Sequence, residues 1–165
     1  MIVLVAGVSG SGKTTVGQLL ARHLGVAYAE ADEFHPPANI AKMAAGTPLN
    51  DEDRAPWLQR IADFADERIA RGESAVVTCS ALKRRYRDGL RHARPELRIV
   101  YLEGNRKVIA SRLMERKGHF FPEQLLDSQF RDLEPPEPDE DVLTVPIVGT
   151  PEDIVAGIVE RLGAR

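Results

Sequence analysis

Cysteine is almost missing: Cys79 is the single one in 165 residues. That excludes an internal disulfide, and no Cys/His cluster has the spacing of zinc ligands. Such usage fits a reducing compartment. Long apolar runs are also missing. The N-terminal run Ile2–Ala6 stops at Gly7, too short for a signal peptide or for the roughly 20 apolar residues of a membrane span. Excess charge of one sign is absent too. Lys and Arg total 22 against 25 Asp and Glu, a net charge of -3 with a pI near 5.8. No global attraction to nucleic acid or anionic lipid follows, so any anion must be bound locally. We expect a cytoplasmic protein with no membrane or nucleic-acid partner. At 43% hydrophobic residues, the chain is long enough for one domain with a real core, residues 1–165.

Short β-branched runs recur at Ile2–Ala6, Ala27–Glu30, Ala75–Cys79, Arg98–Leu102 and Val142–Pro146, and stretches of helical spacing lie between them. That alternation predicts an α/β fold with a five-stranded parallel sheet flanked by helices. Val16, Leu19, Leu20 and Leu24 predict a helix ending at Gly25, and Trp57, Ile61, Phe64 and Ala65 predict another stopped by Gly72. Near the end, Ile154, Val155, Ile158, Val159 and Leu162 follow Thr150-Pro151-Glu152-Asp153, a helix start with a capping threonine, an early proline and dipole-matched acids. Two segments are not simple crossovers. Asp32 to Pro56 is too long and polar for a tight link and predicts an inserted, substrate-facing region. Arg112 to Phe121, with Gly118 and two phenylalanines, predicts a mobile flap, whereas the acidic, proline-rich Glu134–Asp141 predicts a solvated loop.

What stands between the first strand and the first helix is "GVSGSGKT", Gly7–Thr14. It matches G-x-x-x-x-G-K-[ST] in the strand-to-helix context that the motif requires. Glycines let successive amides curl inward around phosphate oxygens, and the following helix adds unpaired N–H groups and its positive dipole end. The candidate nucleotide-binding set is Gly7, Val8, Ser9, Gly10, Ser11, Gly12, Lys13, Thr14 and Thr15, with Lys13 for the outer phosphates and Thr14 for magnesium. Contacts to the base are expected near Arg112 and the loop around Gly149.

A nucleoside triphosphate is either hydrolysed to drive a switch or used as a phosphoryl donor. The chain lacks an N-K-x-D guanine reader, and its third strand ends in Cys79-Ser80 where many P-loop ATPases carry a magnesium-holding aspartate. Both absences weaken a switch or motor. A phosphotransferase needs an acceptor pocket, a base near the acceptor hydroxyl, and cations that shield the transferring group from water. Asp32, just past the second strand, sits where an open α/β sheet forms its ligand crevice and can take the acceptor's proton; the plainer alternative is a helix cap. Arg112 and Arg116 share a helix face and, with Lys117 and His119, concentrate charge in the flap, or else form an ordinary basic helix end. In "CSALKRRYRDGLR", Cys79–Arg91, Leu82, Tyr86 and Leu90 form a buried stripe. Lys83, Arg87 and Arg91 then line one face, Arg84, Arg85 and Arg94 face solvent, and the small Ser80 and Ala81 admit an acceptor to the backbone. His35 can hydrogen-bond a polyol or simply be exposed.

Taken together, "GVSGSGKT", "DEFHPPANIAKMAAGTPLNDEDRAPWL" (Asp32–Leu58), "CSALKRRYRDGLR", "RKGHFF" (Arg116–Phe121) and "LLDSQFRDLEPP" (Leu125–Pro136) resemble the gluconokinase family, P-loop kinases related in fold to shikimate kinase and the nucleoside monophosphate kinases. The resemblance spans most of the chain in order. It implies a P-loop fold with a substrate-binding region at about 32–71 and a lid at about 112–124. It also implies phosphorylation of D-gluconate by ATP with magnesium, and a homodimer. Residue by residue, it implies Lys13 and Thr14 as phosphate and magnesium ligands, Asp32 as the base, Arg54 and Arg87 as acceptor ligands, and Arg116 and His119 as lid residues near the transferring group. Gluconate joins one carboxylate to five hydroxyls, a match for a fixed cation among polar partners, and His35, Arg54, Lys83 and Arg87 are such a set. A shikimate or nucleotide kinase is the nearest alternative. The loop alone also allows a nucleotide sensor with no acceptor.

Overall fold

In the computed structural model, which describes residues 1–115 and 123–163, the apolar runs become β1 (Ile2–Ala6), β2 (Ala27–Glu30), β3 (Ala75–Cys79), β4 (Leu97–Glu103) and β5 (Val142–Pro146). All pair in parallel, in the order β2-β3-β1-β4-β5. β1 and β3 are buried along their whole length, which is why they read as continuous apolar runs rather than alternating ones. Four strands keep their expected limits, and the fourth extends one residue further at each end.

Alternate residues of β1 feed two cores, since side chains of a strand point to opposite faces. Val3 and Val5 pack with Val16, Leu20, Ile109, Ile154 and Ile158, from helices α1 (Lys13–Leu24), α5 (Arg106–Glu115) and α7 (Pro151–Leu162). Ile2 and Leu4 pack with Trp57 and Ile61 of α3 (Asp51–Ala70) and Leu90 of α4 (Arg84–Arg91). Helix α1 lies so close to the sheet that a Cβ on Gly17 would sit 2.7 Å from Thr78 Cγ2. The predicted capping threonine is confirmed: Thr150 and Asp153 form a reciprocal capping box on α7. Among the described residues, no helix is long and apolar enough to cross a membrane.

The polar stretch after β2 folds as a 3-10 turn (Ala31–Phe34), α2 (Pro37–Ala44) and the start of α3. A second capping box, Asn50 with Asp53, starts α3. Trp57 anchors that helix by donating its indole N–H to the Ala31 carbonyl at 2.6 Å, and so fixes the turn that carries Asp32. Leu82 is buried as expected but precedes α4, in a turn where Ala81 has φ 40°. Ala81 therefore holds a left-handed conformation that costs a non-glycine residue energy.

The acidic loop is not simply solvated. It is laced onto α4: Arg84 forms paired hydrogen bonds with Asp139 at 3.0 and 2.7 Å, and Arg91 meets Asp141 at 3.1 Å. Glu134 accepts from the Arg84 backbone N–H. Arg87 is the centre of this lacing, and here the geometry departs from its expected place in an acceptor pocket. Its side chain and that of Glu140 are each 1% exposed and pair at 2.8 Å. The remaining donors go to the carbonyls of Ala81, Leu82 and Glu134. An arginine so enclosed by its own chain serves the fold. Burial pushes the Glu140 carboxyl up, but the Arg87 hydrogen bond and the Glu137 N–H outweigh it and hold its pKa below the ordinary glutamate value. The pair's stabilisation is therefore complete above the ordinary range and is lost as pH falls through the lowered value. Glu140→Ala leaves a buried guanidinium without its counter-charge, and a loss of about 3–5 kcal/mol is expected, read as a lower urea midpoint at unchanged slope.

Candidate active site

Helix α1 begins without a side-chain cap, unlike α3 and α7. Its N-cap is Gly12, at φ 92°, so the first amides of the helix stay open toward the loop that precedes it. Gly10, at φ 81°, lies where any Cβ would meet Leu113 of α5 at 2.7 Å. Lys13 is half-buried and bends back over the loop, donating to the carbonyls of Gly7 at 2.8 Å and Val8 at 3.0 Å. Thr14 and Thr15 are exposed on the first turn of α1, whereas Gly7, Val8 and Ser11 are buried beneath the loop. Ser9 hydrogen-bonds Gln129 through both its backbone N–H and its hydroxyl.

Beside Thr14 stands a residue that motif reading passed over. Glu30, the last residue of β2, accepts from Thr14 Oγ1 at 2.6 Å and from the Tyr28 hydroxyl at 2.8 Å, on the same oxygen. Those two hydrogen bonds, followed by the charge of Lys13, hold its pKa below the ordinary glutamate value. The Tyr28 phenol is pushed up to about 12, chiefly by burial. Tyr28 therefore stays a donor and Glu30 an ionised acceptor at neutral pH. Glu30, like Asp32, stands at the carboxyl end of β2, where an open α/β sheet forms its ligand crevice. Hard oxygen donors of this kind suit magnesium, which keeps most of its water and takes one or two protein oxygens plus phosphates. Thr14 and Glu30 are the residues that fit it here.

The acceptor side is assembled around His35. Its ring is 8% exposed and stacks on Trp57 at 4.5 Å between centroids, so the expectation of an ordinary exposed loop histidine is not met. Burial, with a smaller push from Arg54, lowers its pKa against an opposing pull from Asp32. The Asn39 amide, which also donates to the Asp53 carbonyl, lies 3.1 Å from Nδ1. The neutral ring therefore accepts at Nδ1 and carries its proton on Nε2. Asp32 itself is exposed on the 3-10 turn. Both Asp32 and Lys13 act electrostatically on the Cys79 thiol, which burial pushes up to about 12. The turn that carries Asp32 and His35 leaves the carboxyl end of β2 and the loop before Lys13 leaves that of β1, so in a parallel sheet both stand in one neighbourhood at the same edge.

Arg54 points into that neighbourhood from α3, donating to the Tyr86 hydroxyl at 3.2 Å and to Asp132 at 3.3 Å. Asp132 ends helix α6 (Glu123–Asp132). Lys83 lies 3.1 Å from Asp51, which also meets Arg85 and the Tyr86 hydroxyl. Those partners hold Asp51 far below the ordinary carboxylate range. Ser80 is half-buried at the end of β3, its carbonyl accepting from Gly7 N–H at 3.4 Å. On the far side of the loop a cleft of about 240 Å³ is lined by Gly10, Gly12, Thr15, Arg112, Gly149 and Pro151. The Arg112 guanidinium is fixed there by the Ile147 carbonyl at 3.1 Å. Arg112 and Gly149, named for contacts to the base, therefore face one cleft. Arg116, Lys117 and His119 lie outside the described residues.

Comparison with known proteins gives consistent results. A family model described as "AAA domain" matches residues 2–136. The chain is 48% identical to the thermoresistant gluconokinase of Escherichia coli K12 over 160 residues, 96% of this chain and 91% of that one. It is 44% identical to a gluconokinase of Gluconobacter oxydans over 163 residues, covering 99% and 92%. Among solved structures, a gluconokinase from Sinorhizobium meliloti superposes with a TM-score of 0.84 at 43% identity, covering 98% of this chain and 94% of its own.

The Thr14–Glu30 pair makes a prediction independent of any acceptor. Glu30→Ala should shrink the strengthening of nucleotide binding by magnesium at least about tenfold, measured by titrating a β,γ-imido ATP analogue with and without the metal. An unchanged magnesium effect would remove Glu30 from the site.

Proposed function

The chain belongs to the AAA domain family and, within it, to the gluconokinases, and on that premise we propose that it transfers the terminal phosphoryl group of ATP to D-gluconate, giving 6-phospho-D-gluconate and ADP. The observation that carries this reading is that the phosphate loop and the turn bearing Asp32 and His35 leave the same edge of the parallel sheet, with Arg54 following on α3, the helix that Trp57 pins to that turn. This arrangement offers a carboxylate, a neutral donor and a fixed cation to one small acceptor.

In this reading the loop amides and Lys13 hold the triphosphate, its base in the cleft beside Arg112 and Gly149. Magnesium, when bound through Thr14 and Glu30, neutralises phosphate charge. Asp32 orients the acceptor's terminal hydroxyl and takes its proton as the oxygen bonds the γ-phosphorus and the bridge to the β-phosphate breaks. Arg54 meets the gluconate carboxylate, its planar fork suited to two oxygens, and His35 donates from Nε2 to a hydroxyl. Lys83, which reaches Asp51 of α3, and Ser80, at the end of β3, are further polar partners for the acceptor in this reading. Arg87 is left out because its donors are consumed inside the fold. Arg116 and His119, which lie outside the described residues, are assigned by the family resemblance to shielding the transferring group from water.

Two measurements test this. In an assay of ADP release across gluconate, other sugar acids, shikimate and nucleoside monophosphates, gluconate is expected to give the highest kcat/KM; release with shikimate but not gluconate would overturn the assignment. Asp32→Asn should lower kcat about 100-fold or more while leaving the affinity for ATP within about twofold, and an unaltered kcat would return Asp32 to a structural role.

A further inference from the structure

Helix α6 touches both halves of the site. Gln129 accepts from the Ser9 backbone N–H at 2.6 Å through Oε1 and donates from Nε2 to Ser9 Oγ at 2.7 Å. Three residues on, and so on the same side of the helix, Asp132 meets Arg54 at 3.3 Å. Buried Leu126 holds the helix against the core, and Asp127 pairs with Arg106 of α5. One short element thus bonds the front of the phosphate loop and the acceptor-side arginine together.

The direction of a bound nucleotide follows from the same geometry. The cleft for the base touches Gly10, Gly12 and Thr15. The Lys13 ammonium lies at the opposite end of the loop, on the carbonyls of Gly7 and Val8, with Glu30 nearby. A nucleotide with its base in the cleft directs its last phosphate toward Ser9. There the Ser9 N–H, which has a single hydrogen to give, is already engaged by Gln129.

We propose that Gln129 is a specificity-determining positioning residue that reports the terminal phosphate to the acceptor side. Its carboxamide occupies the Ser9 donor that a triphosphate claims and a diphosphate does not reach. ATP therefore displaces Gln129, and ADP leaves it in place. The displacement shifts α6, weakens Asp132 on Arg54, and readies that guanidinium for a carboxylate. Only this last link rests on the gluconate reading; the first needs nucleotides alone.

The test is calorimetry on the full chain with magnesium present, using the β,γ-imido ATP analogue and ADP. In Gln129→Ala the analogue should bind about fivefold tighter, since one net hydrogen bond no longer has to be displaced, while ADP changes by less than about twofold. Equal changes for both nucleotides, or weaker analogue binding, would overturn the proposal. Gln129→Glu keeps the side chain's length and packing; it should weaken the analogue at least about tenfold more than ADP, and equal weakening would likewise refute it. Gluconate is then titrated onto each nucleotide complex. It should bind the native analogue complex at least about threefold tighter than the ADP complex, and this preference should vanish in Gln129→Ala. A preference that survives the substitution rejects the link through α6. Expected nucleotide results with no gluconate heat in any complex would instead fault the acceptor assignment and leave the role of Gln129 on Ser9 intact.

Discussion

Uncapped N–H groups at the head of α1 are the feature on which the site depends. The first turn of a helix has several donors without partners, and α3 and α7 satisfy theirs with Asn50 and Thr150. Helix α1 has Gly12 in that position, and no side chain takes up the role. An anion completes it, attracted by oriented backbone dipoles rather than by net charge. This accounts for phosphate binding by an acidic protein. The neighbouring groups are arranged as if in waiting: Lys13 is folded onto loop carbonyls, Thr14 donates to Glu30, and Ser9 is bonded to Gln129. Each contact is one that phosphate or metal oxygens can replace.

Sheet order distributes the tasks around that loop. β1, which feeds it, is second neighbour to β2 through β3, and first neighbour to β4 on the other side. Glu30, Asp32 and Ser80 therefore come from the β2 and β3 side, to which the proposed reaction assigns metal and acceptor. Arg112 and Gly149 come from segments that follow β4 and β5 and line the cleft on the far side of the loop, with the Ile147 carbonyl holding Arg112 there. In the proposed reaction, a nucleotide laid across the end of β1 has its reactive phosphate toward the β2 and β3 side because the strands are parallel and in this order.

Much of this was legible along the chain, for identifiable reasons. Buried parallel strands are continuous apolar runs, so their limits could be read to within a residue, and the loop motif is local and sits in its required context. Helix starts at Thr150 and stops at Gly25 and Gly72 obey local backbone rules. What escaped reading was long-range pairing. Arg87 looked like a pocket cation because nothing local to it announces Glu140, 53 positions away. The acidic loop looked solvated for the same reason, seen from the other partner. Ser9 and Gln129 are separated by 120 positions, and Arg54 and Asp132 by 78. His35 could be read as polyol-binding or as merely exposed because its stacking partner, Trp57, lies 22 positions further on in α3.

Those pairings change the meaning of the chain's basic residues. Between Lys83 and Arg94 the sequence looks like a cationic patch, yet Lys83 and Arg85 meet Asp51, Arg84 meets Asp139, Arg87 meets Glu140, Arg91 meets Asp141 and Arg94 meets Asp66. Neutralised in this way, the patch exerts little attraction on a distant anion, whose pull would in any case be screened over about 10 Å at 0.1 M salt. It works instead as an adhesive that ties α4 and its flanks to α3 and to the segment before β5. Arg54 differs in kind. Its contact with Asp132 is long and single, and Tyr86 supplies a neutral oxygen rather than a second charge. A carboxylate able to take two parallel hydrogen bonds from that guanidinium would outcompete such a partner at modest cost. Arg87, whose donors are taken up by Glu140 and three carbonyls, and Arg54, with one long ion pair and one neutral partner, therefore differ in how completely each is already satisfied, a property of the folded chain that residue type alone does not reveal.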